Sequence, residues 1–409
     1  MREGGAADAA GDRTDVIVLG AGPAGLVVGN LLQAAGIDCV ILERATRAAL
    51  RTRARAGYLA ANTVRVLERH GLADRLHRYG QQHSHCEFRT PQGRFRLDYG
   101  HLGPGEPHTV YPQQELVTDL LTRYVDTGGR IHFATEATAV LDADGTRPSV
   151  LARDADGRPR RWHGRYVAGC DGRYGAARRS LPPGTVRRHH RDHAVSWLAL
   201  LARAPQSIDA VGYAVHPAGF AGHMARGPEI TRYYLQCPRG TPADAWPDDR
   251  IWTELDLRMR ATDYGPLHRG PILQRLVFPL ESDVLEPLRH GTLLLAGDAA
   301  SLLGPSAAKG ANLAVLEAEL LARALTDALL HDDPRGLHTY SDRCLTHIWR
   351  ALRFSRWMIH LLHDLPVPPG PGTPGRPPDR DALPRRPCLE TLRTSRAEQD
   401  WFAENYTDV

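Results

Sequence analysis

The sequence predicts an α/β fold whose first lobe is Rossmann-like and whose second lobe is α+β, built on a mixed sheet. Two observations carry this prediction. Between Asp15 and Arg44, an apolar run, a glycine-rich turn, a helical segment and a second apolar run follow one another, which is the order of a βαβ unit. Residues 194–238 are rich in aromatic and β-branched residues and lack helix caps, which indicates a separate sheet.

The βαβ unit contains the spacing GxGxxG at Gly20, Gly22 and Gly25. In such units the first glycine permits a sharp turn, the second lets the backbone approach a pyrophosphate, and the third lets the helix pack on the strand. The helix N-terminus adds unpaired N–H groups. Glu43 ends the second apolar run, about 20 residues on, where an acid binds a ribose hydroxyl. The stretch predicts a dinucleotide site, with an ordinary glycine-rich βα turn as the alternative.

The later elements follow from the same patterns. Residues 44–57 form a basic run that fits either an exposed helix surface or a set of arginines contacting cofactor phosphates. Periodicity predicts a helix pair in 59–79, a strand in 85–97, a helix over Tyr111–Val125, strands within 130–144 and 149–172, and a strand over Thr292–Ala296 followed by a Gly-Asp turn, a loop and a long helix. The proline-rich stretch Pro366–Pro387 predicts an irregular connector.

Within the second lobe, period-two alternation places candidate pocket residues together. Gly222, Met224 and Arg226 share one strand face, and Arg232 and Tyr234 share another. Two faces of such strands could wall a pocket.

The length and charge of the chain limit its number of domains and the kinds of partner it can bind. At 409 residues with 42% apolar composition, the chain is long enough for two packed lobes. Its 51 basic and 47 acidic residues nearly balance, which does not favour nucleic-acid binding. The sequence contains no run of 18 apolar residues and its leader lacks the apolar segment of a signal peptide, so we expect no membrane partner and a cytoplasmic location.

Cysteine and histidine spacing does not indicate a metal site. The 6 cysteines are scattered without CxxC spacing, which favours packed, reduced thiols. Two clusters are candidate metal ligands: His83 with His85 and Cys86, and His189 with His190 and His193. Neither cluster has further ligands at suitable spacing.

Three dispersed motifs then occur in order. They are GxGxxG, the Asp171-Gly172 pair, and Gly297-Asp298 after an apolar strand. Together they resemble the FAD-binding set of single-component aromatic hydroxylases. Matches along nearly the whole chain resemble the para-hydroxybenzoate hydroxylase family: VILER (40–44), RARAG (53–57), AGCDG (168–172), HPAGFA (216–221), RYYLQ (232–236), LAGDAA (295–300), AKGANLA (308–314), IWRALRFSRWM (348–358) and AENY (403–406).

The resemblance implies a domain division and a set of FAD contacts. Residues 1–14 are expected to be a flexible tail, 15–85, 111–182 and 287–345 an FAD-binding domain, 86–110 and 183–286 a substrate-binding sheet domain, and 346–409 a helical and proline-rich region. Glu43 would bind the adenosine ribose, Asp298 the ribityl chain, and Asn312 would lie near the pyrimidine end of the flavin. The other implied FAD contacts are Gly20, Gly22, Gly25, Arg53, Arg55, Gln113, Asp171 and Gly297.

The resemblance also implies substrate and catalytic roles. Arg226 would pair with a substrate carboxylate, helped by Tyr234, in a pocket lined by Met224, Gly222 and Arg232. Tyr213 and Tyr406 would relay the proton of the substrate phenol, and the carbonyl of Pro305 would lie beside that phenol.

Ionising the phenol needs positive potential. Moving a phenol from a pKa near 10 to half ionisation near neutrality needs about 4 kcal/mol, which Arg232, Lys309 and the helix N-terminus near Gly310 could supply. Lys309 is the only lysine in the chain.

Some positions depart from the family pattern. Met224 replaces a serine, Gly222 and Val211 stand where larger aliphatic residues are usual, and Tyr58 replaces a smaller residue. These changes favour a substituted substrate such as 3-amino-4-hydroxybenzoate. At the nicotinamide site Ala45 and Ala49 replace larger residues, while Tyr174 and Glu281 replace a histidine and an arginine that bind the pyrophosphate. We expect Glu281 to repel phosphate, and both NADH and NADPH stay open.

The sequence therefore predicts an FAD-dependent monooxygenase that uses NAD(P)H and O2 to hydroxylate a para-hydroxybenzoate-type acid. Two alternatives remain: an NAD-dependent dehydrogenase and a non-catalytic flavoprotein of the same fold. The resemblance implies a homodimer, but the proline-rich segment replaces a helical region that forms the family's dimer, which leaves the oligomeric state open.

Overall fold

The structure is a computed structural model that describes residues 12–52, 57–261, 265–363 and 385–408. Its helices are α1 Pro23–Ala34, α2 Arg47–Thr52, α3 Ala61–Arg69, α4 Asp74–Tyr79, α5 Gln113–Asp126, α6 Ala176–Arg179, α7 Asp248–Met259, α8 Lys309–Leu330, α9 Arg335–Leu362, α10 Arg385–Thr394 and α11 Arg396–Thr407. Short 3-10 turns occupy Ala243–Ala245, Gly297–Ala299 and Pro305–Ala307.

The strands belong to four sheets. In chain order they are β1 Asp12–Arg13, β2 Val16–Leu19, β3 Cys39–Leu42, β4 Tyr58–Leu59, β5 Gln81–His83, β6 His85–Thr90, β7 Gly93–Asp98, β8 His108–Val110, β9 Arg130–His132, β10 Glu136–Leu141, β11 Ser149–Arg153, β12 Pro159–His163, β13 Tyr166–Gly169, β14 Arg187–Ala202, β15 Val211–Ala214, β16 Ala221–Gly227, β17 Ile230–Cys237, β18 Ile272–Glu286, β19 Arg289–His290, β20 Leu293–Leu295 and β21 Ser301–Leu302.

The first lobe is built on a six-stranded sheet with the order β19-β20-β13-β2-β3-β9. Its strands run parallel except for β19, which pairs antiparallel with β20. Strands β2 and β3 are apolar throughout and buried, as expected of a parallel sheet covered on both faces. Helix α1 ends before Gly36, whose φ of 77° reverses the chain toward β3. The predicted Rossmann-like βαβ unit is confirmed.

The second lobe is built on an eight-stranded mixed sheet with the order β21-β18-β14-β17-β16-β15-β6-β7. Its neighbours pair antiparallel, except β15 and β6, which are parallel. Helix α7 covers one face, where Trp252 and Leu255 pack with Tyr233 and Leu235 of β17. The other face packs aromatic side chains against α9 and α11. The predicted mixed sheet of the second lobe is confirmed.

Two smaller sheets border these lobes. Strands β4, β8 and β5 form a three-stranded sheet, and β1, β12, β11 and β10 form a four-stranded sheet. Strand β1 pairs parallel with β12, and the N–H of Thr14 donates to the carbonyl of His163 at 3.0 Å. Residues 12–14, expected to be part of a flexible tail, are therefore held by backbone hydrogen bonds.

Helix α9 passes from one apolar core to the other. Its first half contributes Leu337 and Ile348 to the core of the first lobe, and its second half contributes Phe354 and Met358 to the aromatic core under the second sheet. The predicted domain boundary at 345–346 falls inside this continuous helix. The ring of Phe354 contacts the rings of Trp401 and Phe402 in α11.

Two further expectations differ from the structure. Residues 85–97, predicted as one strand, form the hairpin of β6 and β7, because Gly93 adopts a φ of 143° in the turn. Most of the predicted connector Pro366–Pro387 lies outside the described residues, but α10 begins at Arg385, so residues 385–387 are helical. Among the described helices, none is long and apolar enough to cross a bilayer.

Candidate active site

The three glycine-containing motifs meet at the carboxyl edge of the first sheet. Gly20 has a φ of 89°, and a Cβ there would lie 2.6 Å from the carbonyl oxygen of Cys170. A Cβ on Gly25 would lie 1.9 Å from the carbonyl oxygen of Gly20. Gly297 lies against the start of α1, where its Cβ would be 3.1 Å from the Cβ of Ala24. The packing therefore requires a glycine at positions 20 and 25 and brings the distant motifs together.

The N-terminus of α1 leaves room for a ligand. Gly22 is the N-cap of α1, with extended backbone, and a Cβ on Gly22 would meet no atom within 4 Å. Among the residues that the structure describes, no side chain caps this helix end. The glycine turn and the free N–H groups of the first turn fit a pyrophosphate.

Glu43 is fixed beside this turn. Its carboxylate oxygens accept hydrogen bonds from the N–H of Ala21 at 2.7 Å and of Ala45 at 2.8 Å. The side chain is buried. Each carboxylate oxygen keeps acceptor capacity beyond one backbone bond, so this arrangement fits the expected ribose contact.

Asp171 supports the turn that follows β13. Its Oδ2 accepts from the N–H of Ala177 at 3.1 Å, while its Oδ1 is buried without a partner in the described structure. A Cβ on Gly175 would lie 2.0 Å from the carboxyl carbon of Asp171. Burial raises the pKa of Asp171 to about 6. Asp171 thus holds α6 against the glycine turn and retains one polar atom for a further contact.

Glu317 of α8 supports the Gly297-Asp298 turn from below. Its carboxyl group accepts from the N–H of Gly297 at 2.6 Å and from the hydroxyl of Ser301 at 3.4 Å. Burial, with a smaller contribution from Asp298, raises the pKa of Glu317 to about 8. The sequence offered no motif for this residue, because a glutamate within an apolar helix is recognisable as a support only once the turn lies over it.

We expect Glu317→Gln to change how stability depends on pH. The folded protein keeps this proton up to about pH 8, whereas the unfolded chain releases it near pH 4.3. The stability that the carboxyl group contributes is therefore complete below pH 4.3 and is lost as pH rises to about 8. Glutamine cannot titrate, so the variant should gain stability relative to the wild type by roughly 1 kcal/mol per pH unit in this window. Urea unfolding at several pH values measures this gain, with Glu319→Gln as the control, because Glu319 lies on the same helix but is paired with Arg69 and His70. Parallel pH curves for the wild type and Glu317→Gln would contradict it.

The remaining predicted FAD contacts divide into three cases. Arg53 and Arg55 lie outside the described residues. Gln113 is the first residue of α5 and is half-buried. Asn312 is buried, and its side chain binds backbone: its amide nitrogen donates to the carbonyls of Tyr58 at 3.1 Å and Ala308 at 2.7 Å, and its oxygen accepts from the N–H of Ala60 at 2.8 Å. Asn312 therefore ties α8 to β4.

The pairing of β16 and β17 places the predicted pocket residues on one face. Gly222 lies opposite Tyr234, and Met224 lies opposite Arg232. Directly opposed residues of antiparallel strands point to the same side of a sheet. The expectation of two separate faces is therefore wrong. Tyr213 of β15 lies opposite Gly222, so the pairing continues this face into the neighbouring strand.

The cationic end of this face contains two arginines. The register of β16 shifts between Ala225 and Gly227, and an Nη atom of Arg226 comes within 2.8 Å of the position that a Cβ on Gly57 would occupy. Burial lowers the pKa of Arg226, and Arg232 lowers it further, while Tyr234 and Tyr58 raise it. Arg232 is buried on the neighbouring strand. Two guanidinium groups with little exposure and like charge form a site that favours an anion.

Two neighbours restrict this end of the site. A Cβ on Gly222 would lie 2.9 Å from the ring of Phe220 and 3.2 Å from that of Tyr234, so the small residue does not enlarge the site there. Tyr58 is buried, and its hydroxyl has no hydrogen-bond partner in the described part of the chain. Burial raises the pKa of Tyr58 above its usual range, and the neighbouring Arg226 lowers it.

Tyr213 and Tyr406 form a buried pair. Their hydroxyl oxygens are 2.8 Å apart, although the residues are 193 positions apart in the chain. Burial raises the pKa of both well above 10, so both hydroxyls keep their protons near neutrality. The pair can therefore pass a proton by exchanging donor and acceptor roles.

Lys309 is the first residue of α8, and Pro305 begins the 3-10 turn just before this helix. The Nζ of Lys309 donates to the carbonyl oxygens of Tyr406, at 3.0 Å, and of Asp408. Burial lowers the pKa of Lys309 to about 7, and Arg350 lowers it while Asp408 raises it. The carbonyl of Pro305 accepts from the N–H of Ala308 at 3.3 Å. Lys309, predicted as a source of potential for the substrate phenol, directs its ammonium group at the end of α11.

Sequence reasoning missed His108 beside Tyr406 and the hydrogen bond between His83 and Tyr99. The sequence analysis considered His83 only as a packed or solvated residue or as a metal ligand. In the structure, its Nδ1 lies 2.8 Å from the hydroxyl oxygen of Tyr99, within hydrogen-bond distance. The rings of Tyr99 and His108 each lie 5.1 Å from the ring of Tyr406. Burial lowers the pKa of His83 to about 4 and that of His108 to about 3. The only sequence signal was their position on strands that alternate toward the aromatic core.

The predicted nicotinamide site is an ion-pair network. Glu281 pairs with Arg173 at 2.5 Å and with Arg239 at 3.1 Å. Asp283, fully buried, contacts Arg173, Arg178 and Arg188. The expectation that Glu281 repels phosphate overlooked these partners, which neutralise its charge. The ring of Tyr174, highly exposed, lies under the guanidinium of Arg173.

No group of three histidine, cysteine, aspartate or glutamate side chains within the described ranges is arranged to hold a metal ion. His189, one of the candidates, instead pairs with Glu286 at 2.7 Å and packs against Trp349.

Comparisons with known proteins show the family and the fold of this chain. A family described as "FAD binding domain" matches residues 13–355. The chain is 36% identical over 361 residues to a p-hydroxybenzoate hydroxylase from Acinetobacter baylyi, covering 86% of each chain. It is 28% identical over 376 residues to the 3-amino-4-hydroxybenzoate 2-monooxygenase PtmB3 of Streptomyces platensis, covering 88% of this chain and 90% of that one. The solved structure of p-nitrophenol 4-monooxygenase PnpA from Pseudomonas putida DLL-E4 superimposes with a TM-score of 0.78 at 16% identity, covering 97% of this chain and 99% of that chain, and shows the same fold.

Proposed function

Because the chain belongs to the FAD-binding-domain family, and within it to the p-hydroxybenzoate hydroxylase type of flavin-dependent aromatic hydroxylases, we propose that it hydroxylates a para-hydroxybenzoate-type acid. The proposal assigns O2 and NAD(P)H as co-substrates. We further propose that the protein is located in the cytoplasm and forms a homodimer.

The observation that carries the proposal is the pairing of two chemically different ends on one sheet face. Arg226 and Arg232 provide a cationic end, and the Tyr213–Tyr406 hydroxyl pair at 2.8 Å provides a proton-transfer end. A para-hydroxybenzoate carries an anionic carboxylate and an acidic phenol at opposite positions of a rigid ring. The two ends match the two groups of such a molecule.

FAD fits the residues that the three motifs bring together. Gly22 and the N-terminus of α1 would take the pyrophosphate, Glu43 the ribose, and Asp298 the ribityl chain, as the family pattern implies. When bound and reduced, the flavin supplies, with O2, an electrophilic oxygen atom. The protein's own residues must then orient the ring and make it electron-rich.

Each side chain has a distinct part in that task. A bidentate pair between Arg226 and the carboxylate fixes the direction of the ring, and Tyr234 adds a hydroxyl at the same end. Tyr213 accepts the phenol proton as it passes its own to Tyr406. Tyr406, whose ring lies against those of Tyr99 and His108, in turn releases its own proton toward solvent. The ring thereby approaches the phenolate, the form that attacks an electrophilic oxygen. The aromatic lining and α11 exclude water from this exchange.

The side chains that line the site beside the substrate ring indicate which ring substituents it accepts. Phe220 fills the space beside Gly222, and Met224 adds apolar surface opposite Arg232. Tyr58 adds a buried hydroxyl without a partner in the described structure. Burying an unpartnered hydroxyl costs about 1–3 kcal/mol, which a polar ring substituent would offset. We therefore include 3-amino-4-hydroxybenzoate, the substrate named for PtmB3, beside 4-hydroxybenzoate.

We propose that the NAD(P)H pyrophosphate binds at the network around Glu281. Replacing Arg173 by glutamine should raise the KM for NAD(P)H roughly fivefold, because Glu281 would lose the partner at 2.5 Å and oppose the phosphate with less compensation. Steady-state NAD(P)H oxidation at several salt concentrations measures this. The exposed Arg158→Gln serves as a control that also removes one charge. If Arg173→Gln leaves the KM for NAD(P)H unchanged, the ion-pair network is not part of the co-substrate site.

A substrate screen tests the main proposal. Purified protein carrying FAD is titrated with substituted 4-hydroxybenzoates while flavin absorbance, NADH and NADPH oxidation and products are followed. A substrate that stimulates oxidation and appears hydroxylated supports it. Absence of FAD with a reduced nicotinamide product would favour the NAD-dependent dehydrogenase. Bound FAD without stimulated oxidation by any analogue would favour a non-catalytic flavoprotein.

A further inference from the structure

The end of α11 is held by side chains from three other helices. The carboxylate of Asp408 accepts from the amide of Asn62 in α3 at 2.5 Å and from the guanidinium of Arg350 in α9 at 2.8 Å. The backbone carbonyl of Asp408 accepts from Lys309 at the start of α8. We call this set, Asn62, Lys309, Arg350 and Asp408, the C-terminal clasp.

The clasp lies directly after the tyrosine of the proposed relay. Tyr406 stands two residues before Asp408, and its own backbone carbonyl accepts from Lys309 at 3.0 Å. The last carbonyl groups of a helix lack partners within the helix, and a cation there both caps them and opposes the helix dipole. Lys309 therefore binds α11 at the turn that carries Tyr406.

The other end of α11 has a separate anchor. The carboxylate of Asp400 accepts from the N–H of Gly103 at 2.8 Å and pairs with Arg396. The clasp fixes the end nearest to Tyr406 together with the ion pair of Glu404 with Arg350 and the packing of Tyr406 in the aromatic core. A helix end that loses tertiary contacts frays on a fast timescale. Fraying by one turn would withdraw the hydroxyl of Tyr406 from Tyr213.

We propose that Asp408 is a positioning residue, which holds the end of α11 through the C-terminal clasp so that the hydroxyl of Tyr406 stays within hydrogen-bond distance of Tyr213. The structural part of this inference, the position of Tyr406, stands without the proposed function; its effect on hydroxylation rests on that function. Asp408 does not touch the substrate site and acts only through Tyr406.

Hydrogen exchange of the FAD-loaded protein tests the structural part. Asp408→Ala should speed amide exchange in the peptide covering residues 403–407 by at least about fivefold, because the last turn loses two of its fastenings. Asp408→Asn keeps an acceptor for Arg350 and should give a smaller increase. The matched control is Glu404→Gln, which removes the other acidic partner of Arg350, at 3.0 Å, but leaves the clasp intact. Equal exchange in Asp408→Ala and the wild type would overturn the proposal, whatever reaction the protein catalyses.

The coupling of NAD(P)H oxidation to product tests the functional part. With a substrate that the wild type hydroxylates, Asp408→Ala should leave the substrate Kd within about twofold, because Arg226 is untouched, and lower the product formed per NAD(P)H at least about threefold. The double variant Asp408→Ala/Tyr406→Phe should be no less coupled than Tyr406→Phe alone. Additive losses would mean that Asp408 acts elsewhere and would overturn the positioning role. If no analogue is hydroxylated, the proposed function fails, and the exchange result still decides the clasp.

Discussion

Replacing Arg226 by alanine is expected to raise the Kd of the substrate acid at least tenfold. The guanidinium lies beside Gly57, and its pKa is lowered first by burial and then by Arg232. A charge held in such a setting gains more from an anionic partner than an exposed one does. A charge-assisted pair of this kind contributes about 1.5–3 kcal/mol, and about 1.4 kcal/mol corresponds to tenfold in affinity.

Two comparisons separate charge from packing in this experiment. Arg226→Lys keeps the charge but loses the bidentate geometry and should fall between the wild type and alanine. An analogue with an amide in place of the carboxylate should bind the wild type weakly and should lose little further affinity in Arg226→Ala. Flavin absorbance changes report the Kd. If the acid binds Arg226→Ala as tightly as the wild type, the cationic end of the site is assigned wrongly.

Replacing Tyr213 by phenylalanine is expected to uncouple the reaction by more than about tenfold while sparing binding. The change removes the hydroxyl that lies 2.8 Å from that of Tyr406 and keeps the ring that packs 5.4 Å from Phe88. Without the hydroxyl, the phenol of a bound substrate loses its route to Tyr406 and stays protonated. The ring is then a poorer nucleophile, and oxygen should leave as hydrogen peroxide.

The measurement compares product and peroxide formed per NAD(P)H consumed. Tyr233→Phe is the matched control, because Tyr233 is equally buried but lies on the opposite face of the sheet and bonds to Ser207 at 3.3 Å. Its coupling should match that of the wild type. Full coupling in Tyr213→Phe would show that the tyrosine pair is not the proton route.

The parts of the fold that local sequence controls were predictable. A glycine turn between two apolar runs determines a βαβ unit, because the constraints on Gly20 and Gly25 act within six residues of chain and on an adjacent strand. The fold class was confirmed for that reason. The pairing of Tyr213 with Tyr406 agreed with a family pattern and was not derivable from spacing.

Features that depend on register or distant packing were not predictable in this way. Alternation within one strand does not reveal which residues face each other across two strands, so Arg232 and Tyr234 were placed on a separate face from Met224. The partners of Glu281 come from residues 108 and 42 positions away along the chain, and no pattern in the sequence joins them. The hydrogen bond from Lys309 to the carbonyl of Tyr406 was equally unpredictable, because the two residues are 97 positions apart in the chain.

Helix α9 has a mechanical consequence for the catalytic cycle. Its 28 residues are continuous, and its two halves are embedded in two different apolar cores. A hinge between the lobes would have to bend this rod and expose apolar surface at both ends. We therefore expect ligands to enter and leave by displacement of loops, while the two lobes keep their relative orientation.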